Sequence, residues 1–462
     1  MKYLSTRGGE KDLTFKNILF SGLASDGGLY VPDVWPQIDY NALKKINNYS
    51  ELALEIIYPF IGEDIKKKEL KDLIDNAYSK FSNNNIISFK NLKRKEYIVE
   101  LFNGPTLAFK DFAMQLIIPI FDHYLSQENK KLNLIVATSG DTGSAAINAV
   151  HQSEKINVFC LFPKGRISSF QKKQMTTVHG ENIFPIEVDG TFDDCQNIVK
   201  KILIDREFSK EFSIAAVNSI NWSRVMFQIV YYFYTLIENN ISENEAINFS
   251  VPTGNFGDIY AGYVGIKMGL PANKLIIATN ENDILDRFIN SGNYSIENVT
   301  RTTSPSMDIA IASNFERLLF DLYDKSSSLT SEKMNELKNN KSFSVNSEQS
   351  DLVKKIFSSK KINQNEVNNL IKETYNEFDY IIDPHTAIGL GASRSCNQIS
   401  DNNFILGTAH PIKFSDTVEK AIGQPMQSSE EFNRVFDNEE KFYSFKNSTE
   451  EVRNIIKNNY SK

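Results

Sequence analysis

The chain has 462 residues, of which 41% are hydrophobic and 24% charged, with a formal net charge of −7. That length suits two or three domains, and the charge balance leaves no general basic face for nucleic acid. Cys160, Cys195 and Cys396 form neither a metal spacing nor a disulfide framework, the start lacks a signal core, and the densest apolar run, 227–237, is too short to span a bilayer; a soluble cytoplasmic protein with no metal, membrane or nucleic-acid partner is expected.

Residues 1–95 read as a small α-rich leading unit. It has a strand candidate at 3–8 ending in a free arginine, Arg7, a turn-rich segment at 22–32, and helical periodicity at Leu52, Ala53, Ile56 and Ile57 and again at Leu70, Leu73, Ile74, Ala77 and Tyr78. An apolar stretch then turns at Asn103-Gly104-Pro105, and a helix is predicted to open at Leu107. Lys110 in that run is flanked by Phe109 and Phe112. Desolvation lowers the pKa of an ammonium and makes the amine a nucleophile toward aldehydes. A lone lysine snorkelling from an amphipathic helix would look the same.

Residues 132–137, LNLIVA, have the composition of a buried strand and feed into TSGDTGSAA at 138–146 and a helix. A strand, a small polar turn and a helix N-terminus make an anion site, to which Ser139, Thr142 and Ser144 can add hydroxyls; simple capping of the turn has the same appearance. Strand candidates at 156–162 and 182–188 flank a loop carrying Lys164 and Arg166 and a helix carrying Gln171, Lys172 and Lys173. This alternation is the α/β pattern. NSINWSR at 218–224 precedes a long amphipathic helix capped by Asn221 or Ser223, and Arg224 in its first turn opposes the helix dipole.

A second strand, 247–252, enters TGNFGD at 253–258 and a helix. Glycine lets backbone amides approach a phosphate, although the spacing is neither GxGxxG nor the P-loop pattern. A further strand follows at 275–279. Residues 325–350, rich in Ser, Lys and Asn, read as a surface insertion or mobile connection. Segments 381–389 and 404–413 look like strands ending in polar turns, and a peripheral helix is predicted in the charged tail after 439.

One partly buried lysine, one hydroxyl-rich and one glycine-rich strand-to-helix turn equip a chain for a phosphate-bearing aldehyde cofactor and an amino-acid carboxylate. Pyridoxal phosphate is such a cofactor. The segments YLSTRG (3–8), SDGGLYVP (25–32), FNGPTLAFKD (102–111), ATSGDTGSAA (137–146), FPKGRIS (162–168), NSINWSR (218–224), PTGNFGD (252–258), SPSMDI (304–309), SNFERLL (313–319), DPHTAIG (383–389) and GTAHPIKF (407–414) occur in order along nearly the whole chain. Together they resemble the threonine synthase family, in the longer form found in many bacteria and in yeast.

The resemblance implies the tryptophan-synthase-β-like fold (fold type II): two three-layer αβα domains, preceded by the unit at 1–95. The catalytic core would span 96–430, its smaller domain roughly 105–240, with a peripheral helix in 431–462. It implies a pyridoxal-phosphate-dependent β,γ-replacement that turns O-phospho-L-homoserine and water into L-threonine and phosphate, in a monomer or homodimer. By motif, Lys110 anchors the cofactor and acts as base, Phe112 lies close to its ring, and Asp141 faces the ring hydroxyl. Gly254, Asn255, Phe256 and Gly257 hold its phosphate, and Thr408 faces the pyridine nitrogen. Thr138, Ser139 and Thr142 are assigned to the substrate carboxylate, and Arg224 with Asn218, Ser219, Lys164 and Arg166 to its phosphate. His385 and His410 are read as hydrogen-bonded structural histidines. The rival readings are a related serine/threonine dehydratase or phospholyase, which eliminates without adding water, and a non-catalytic protein binding an anion or nucleotide.

Overall fold

The computed structural model describes residues 1–81, 86–396, 401–426, 435 and 437–460. Two sheets organise them. The larger runs, edge to edge, through Phe357–Lys361, Lys274–Thr279, Ile247–Pro252, Asn402–Gly407, Glu96–Glu100 and Ser88–Lys93. Its first five strands are parallel and the last pairs antiparallel, across the unit boundary expected at residue 95. The smaller sheet is parallel, in the order Tyr443–Lys446, Ile183–Asp189, Ile156–Pro163, Leu132–Ala137, Ile214–Ala216. The central strands, such as LNLIVA and INFSVP, are buried almost throughout. That is why they read as continuous apolar runs and not as alternating ones.

The helix Trp222–Glu238 is buried on nearly every face and packs against Tyr49–Ile61, Asp111–Glu128 and Gly257–Met268. A helix apolar all round belongs inside, and this one joins the leading unit to both sheets in a single hydrophobic core. Asn221 caps it, its Oδ1 accepting from the Ser223 amide at 3.0 Å. Among the described residues no helix is long and apolar enough to cross a membrane.

Several local expectations are corrected. The helix after Gly104 opens at Asp111, four residues later than predicted. Leu107 sits at φ 61°, and the Asp111 carboxylate takes the Thr106 amide and hydroxyl, both at 2.8 Å, which holds 106–110 in a loop. Arg7 is not free: its Nη2 lies 2.8 Å from Glu316 Oε2. Of the two readings of 325–350, the mobile connection is the one corrected: the segment forms the helix Ser327–Asn340, the strand Ser342–Ser344 and the start of the helix Ser347–Ile356, anchored by the buried Thr330, Leu337 and Phe343. Segment 381–389 is not a strand: Pro384 takes the first position of the helix Pro384–Cys396, and Asp383 accepts from the amides of His385 and Thr386 at 2.8 and 3.0 Å. In the tail, Tyr443–Lys446 extends the small sheet and the helix Thr449–Asn459 packs on Phe192–Ile204. The boundary expected at 431 lies outside the described residues.

Candidate active site

Three turns meet at the carboxyl ends of strands, where open α/β sheets bind ligands: 138–141 after Leu132–Ala137, 253–257 after Ile247–Pro252, and 408–410 after Asn402–Gly407. The loop before Lys110 is stitched to the third turn. Phe109 donates its amide to Thr408 O at 2.9 Å and His410 to Leu107 O at 3.0 Å. Lys110 therefore caps the helix Asp111–Glu128 from a fixed backbone.

Burial pushes the Asp111 carboxyl up to about 6 from its ordinary 3.8, against the pull of the two Thr106 hydrogen bonds. The folded-state value lies above the unfolded one, so this group's contribution to stability is full below about pH 4 and is lost as pH rises through about 6. Compared with Asp111→Asn, the wild type is expected to lose about 3 kcal/mol of unfolding free energy across that window. Urea unfolding as a function of pH measures this; a constant difference between the two proteins would refute it.

Lys110 Nζ lies 3.1 Å from Asp141 Oδ2, and Lys413 Nζ lies 3.1 Å from Asp141 Oδ1. Gln171 donates to the same Oδ1 at 2.8 Å. Burial by itself would raise the Asp141 pKa, but the two ammonium groups and the amide outweigh it and hold the carboxyl well below the usual range. Asp141 is thus ionised. For Lys110, burial lowers the pKa, Asp141 opposes this, and the positive charges of Arg224 and Lys413 reinforce it; the net direction is down. Lys413 is completely buried and also donates to Thr106 O and Gln174 Oε1 at 2.6 and 2.8 Å. Sequence reasoning quoted its motif without assigning it. A lysine between Ile412 and Phe414 at a strand end, in a chain with one acid in its anion turn, was the available signal.

The glycine loop is shaped by close approach. A Cβ on Gly254 would lie 2.8 Å from the backbone oxygen of Ser306, and Phe256 adopts φ 67° to start the helix Gly257–Met268. Gly254→Ala is expected to weaken pyridoxal-phosphate binding at least about tenfold with little change in melting temperature, because backbone has to yield in the loop and not in the core. Fluorescence titration checks it, and an unchanged dissociation constant would count against the loop as a cofactor cradle.

One cleft is lined by Phe109, Lys110, Asp141, Gly254, Asn255, Phe256, Gly257, Asp258, Ser306, His385 and Thr408, among others. It gathers most of the residues expected around a cofactor. Phe112 is the exception: its ring packs with Tyr49, Tyr78, Phe81 and Tyr231 in the core. Two residues along a helix is about 200° around its axis, so Phe109 meets the cleft instead, its ring centroid 5.2 Å from Lys110 Nζ.

The expected substrate residues are divided. Thr138 Oγ1 accepts from the amides of Gly140 and Gly143, both at 2.9 Å, and so closes the anion turn; Ser139 and Thr142 flank it, partly buried. Ser144 turns inward and donates to Gly140 O. Arg224 is not solvated but buried, with Nε and Nη1 lacking any partner among the described residues. Burial brings its pKa down to about 10. Asn218 and Ser219 lie just before its helix, and Ser219 O accepts from the Asn314 amide at 3.1 Å. Lys164 and Arg166 stand apart from this group. They are solvent-exposed on the turn after Ile156–Pro163, where Gly165 at φ 64° carries the chain outward, and they do not line the cleft. Asp258, missed in the sequence, accepts from the hydroxyls of Tyr231 and Tyr232 on one carboxylate oxygen, and burial raises its pKa to about 6.

A buried lysine at a helix start, an ionised acid beside it and a glycine cradle, set at the strand ends of two parallel sheets, define a pyridoxal-phosphate-dependent enzyme of fold type II. The family models agree: residues 2–78 match "Threonine synthase N terminus", 87–406 "Pyridoxal-phosphate dependent enzyme" and 386–456 "Threonine synthase, C-terminal". The chain is 41% identical over 460 residues to threonine synthase of Pseudomonas aeruginosa, covering 99% of this chain and 98% of that protein. Its structure is similar to that of pyridoxal-phosphate-bound threonine synthase from Brucella melitensis, with a TM-score of 0.96, 39% identity and full coverage of both chains. The yeast threonine synthase structure has a TM-score of 0.92 at 39% identity, covering 99% of this chain and 98% of that one. The chain belongs to the threonine synthase family and is a pyridoxal-phosphate-dependent lyase.

Proposed function

We propose that this chain converts O-phospho-L-homoserine and water into L-threonine and phosphate, with Lys110 as cofactor anchor and proton carrier. Pyridoxal phosphate, when bound, supplies the electron sink that makes the hydrogens on substrate Cα and Cβ removable. The amides of Gly254, Asn255, Phe256 and Gly257 would hold its phosphate, Asp141 its ring hydroxyl and Thr408 its pyridine nitrogen. A neutral hydroxyl at the last position, unlike a carboxylate that would stabilise a protonated ring nitrogen, would leave that nitrogen largely unprotonated.

Lys110 Nζ takes the Cα proton, and its lowered pKa raises the share of neutral amine able to do so. Removal of a Cβ proton then expels phosphate from Cγ, water adds at Cβ, and Nζ is placed to return protons. Thr138, Ser139 and Thr142 would receive the substrate carboxylate at the N-terminus of Asp141–Val150.

The observation that supports the anionic substrate best is Arg224: a buried guanidinium with two unpartnered nitrogens, close enough to Lys110 to depress its pKa, in a chain that is acidic overall. A buried cation without a counterion is unfavourable until an anion arrives. Arg224→Met is therefore expected to raise KM for phosphohomoserine about tenfold or more while leaving the protein no less stable. Unchanged KM would remove Arg224 from the substrate site. The reading as a whole is tested by incubating the pyridoxal-phosphate-loaded enzyme with phosphohomoserine and following phosphate and threonine together. Phosphate released with 2-oxobutyrate in place of threonine would make the protein a phospholyase.

A further inference from the structure

His385 on the wall of the cleft, with the fully buried Asp383 beside it, forms a pair that the reaction above does not use. Asp383 is fully buried and acts only as an acceptor. Its Oδ2 receives the His385 amide at 2.8 Å and lies 2.7 Å from His385 Nδ1, and its Oδ1 receives the Thr386 amide at 3.0 Å and the Thr386 hydroxyl. With Asp383 Oδ2 facing the imidazole, Nδ1 is the nitrogen that presents a ring hydrogen to the carboxylate, and Nε2 is left at the far end of the ring. The Phe414 ring, 4.8 Å away, packs on the imidazole.

His385 is 3% exposed and lines the cleft together with Lys110, Asp141, Ser306 and Thr408. Its Nε2 is buried and has no partner among the described residues. Buried polar atoms in folded proteins are almost always paired. Here Asp383 engages Nδ1, and the unpartnered Nε2 belongs to a residue that lines the cleft, so a molecule bound there is the available partner.

We propose that His385 contacts bound ligand directly, Nε2 accepting a hydrogen bond from a ligand O–H or N–H, and that Asp383 is the positioning residue that fixes the accepting tautomer. The inference rests on the cleft being the pyridoxal-phosphate site. The donor belongs to the cofactor or to the substrate and its attacking water, and the experiment separates these sources.

Three variants are compared with wild type. His385→Asn keeps an amide near Nδ1 for Asp383 but has nothing at Nε2; His385→Gln offers an amide oxygen near the Nε2 position; Asp383→Asn offers Nδ1 a donor and so moves the ring hydrogen to Nε2. If the donor is on the cofactor, His385→Asn and Asp383→Asn bind pyridoxal phosphate about ten- to hundredfold more weakly, and His385→Gln recovers part of the loss. If the donor is on the substrate or water, cofactor affinity stays and KM or kcat for phosphohomoserine moves by that factor. Histidine-selective nitrogen NMR of wild type should show His385 Nε2 unprotonated, shifting when ligand is added, and Asp383→Asn should show it protonated. The proposal is overturned if the spectrum shows wild-type Nε2 protonated, or if His385→Asn folds with unchanged cofactor affinity, KM and kcat. Cofactor titration and NMR need no turnover, so a wrong substrate assignment would leave them intact.

Discussion

Lys110→Ala abolishes turnover, by about three orders of magnitude or more, and removes the visible absorbance that bound pyridoxal phosphate gives the wild type, while the melting temperature changes little. The reasoning is local. Lys110 is held at a helix start by hydrogen bonds of its neighbours' backbone, Phe109 to Thr408 and His410 to Leu107, which the substitution does not touch. Asp141 keeps Lys413 at 3.1 Å and Gln171 at 2.8 Å, so no buried carboxylate is stranded. What disappears is the one amine, among the described residues, in contact with both the cleft and Asp141. Borohydride reduction of the loaded wild type should label the peptide containing residue 110; a label elsewhere, or threonine production by the alanine variant, defeats the assignment.

Lys413→Met behaves oppositely, with a measurable loss of stability. The side chain is completely buried and satisfies three acceptors: Asp141 Oδ1, Thr106 O and Gln174 Oε1. Methionine fills similar space, but Gln174 Oε1 loses its donor while Asp141 keeps Lys110 and Gln171 and Thr106 O keeps Gln174, and a buried acceptor left unsatisfied costs about 1–3 kcal/mol. The acid beside Lys110 would lose one of the two ammonium groups that hold it ionised, so cofactor affinity should fall as well. Chemical denaturation and cofactor titration on the same preparation report both effects. A variant as stable as wild type, with unchanged affinity, would show that Lys413 is incidental to the site.

These two lysines mark the limit of what could be read in advance. Lys110 was legible because its neighbours, the Asn-Gly-Pro turn and the two strand-to-helix turns, carry local signatures of chain reversal and anion binding. Lys413 lies about three hundred residues from Lys110, and its partnership with Asp141 joins the turn after a strand of the large sheet to the helix start after a strand of the small one. Phe112, expected near the cofactor ring by motif, has its ring packed among aromatic side chains of the core.

The α/β class and the parallel strands followed from residue pattern alone, and the cap of the long helix was narrowed to Asn221 or Ser223, because short-range sterics and burial write themselves into consecutive residues. The sparse stretch at 325–350 and the run at 381–389 did not follow, since a few anchors such as Leu337 and Phe343, or one proline at a helix start, outweigh local composition. Which charges end up buried together is a matter of long-range packing: the unpaired Arg224, the Lys110–Asp141–Lys413 network and the Asp383–His385 pair acquire their chemistry from the low-dielectric space that the closed fold creates around them.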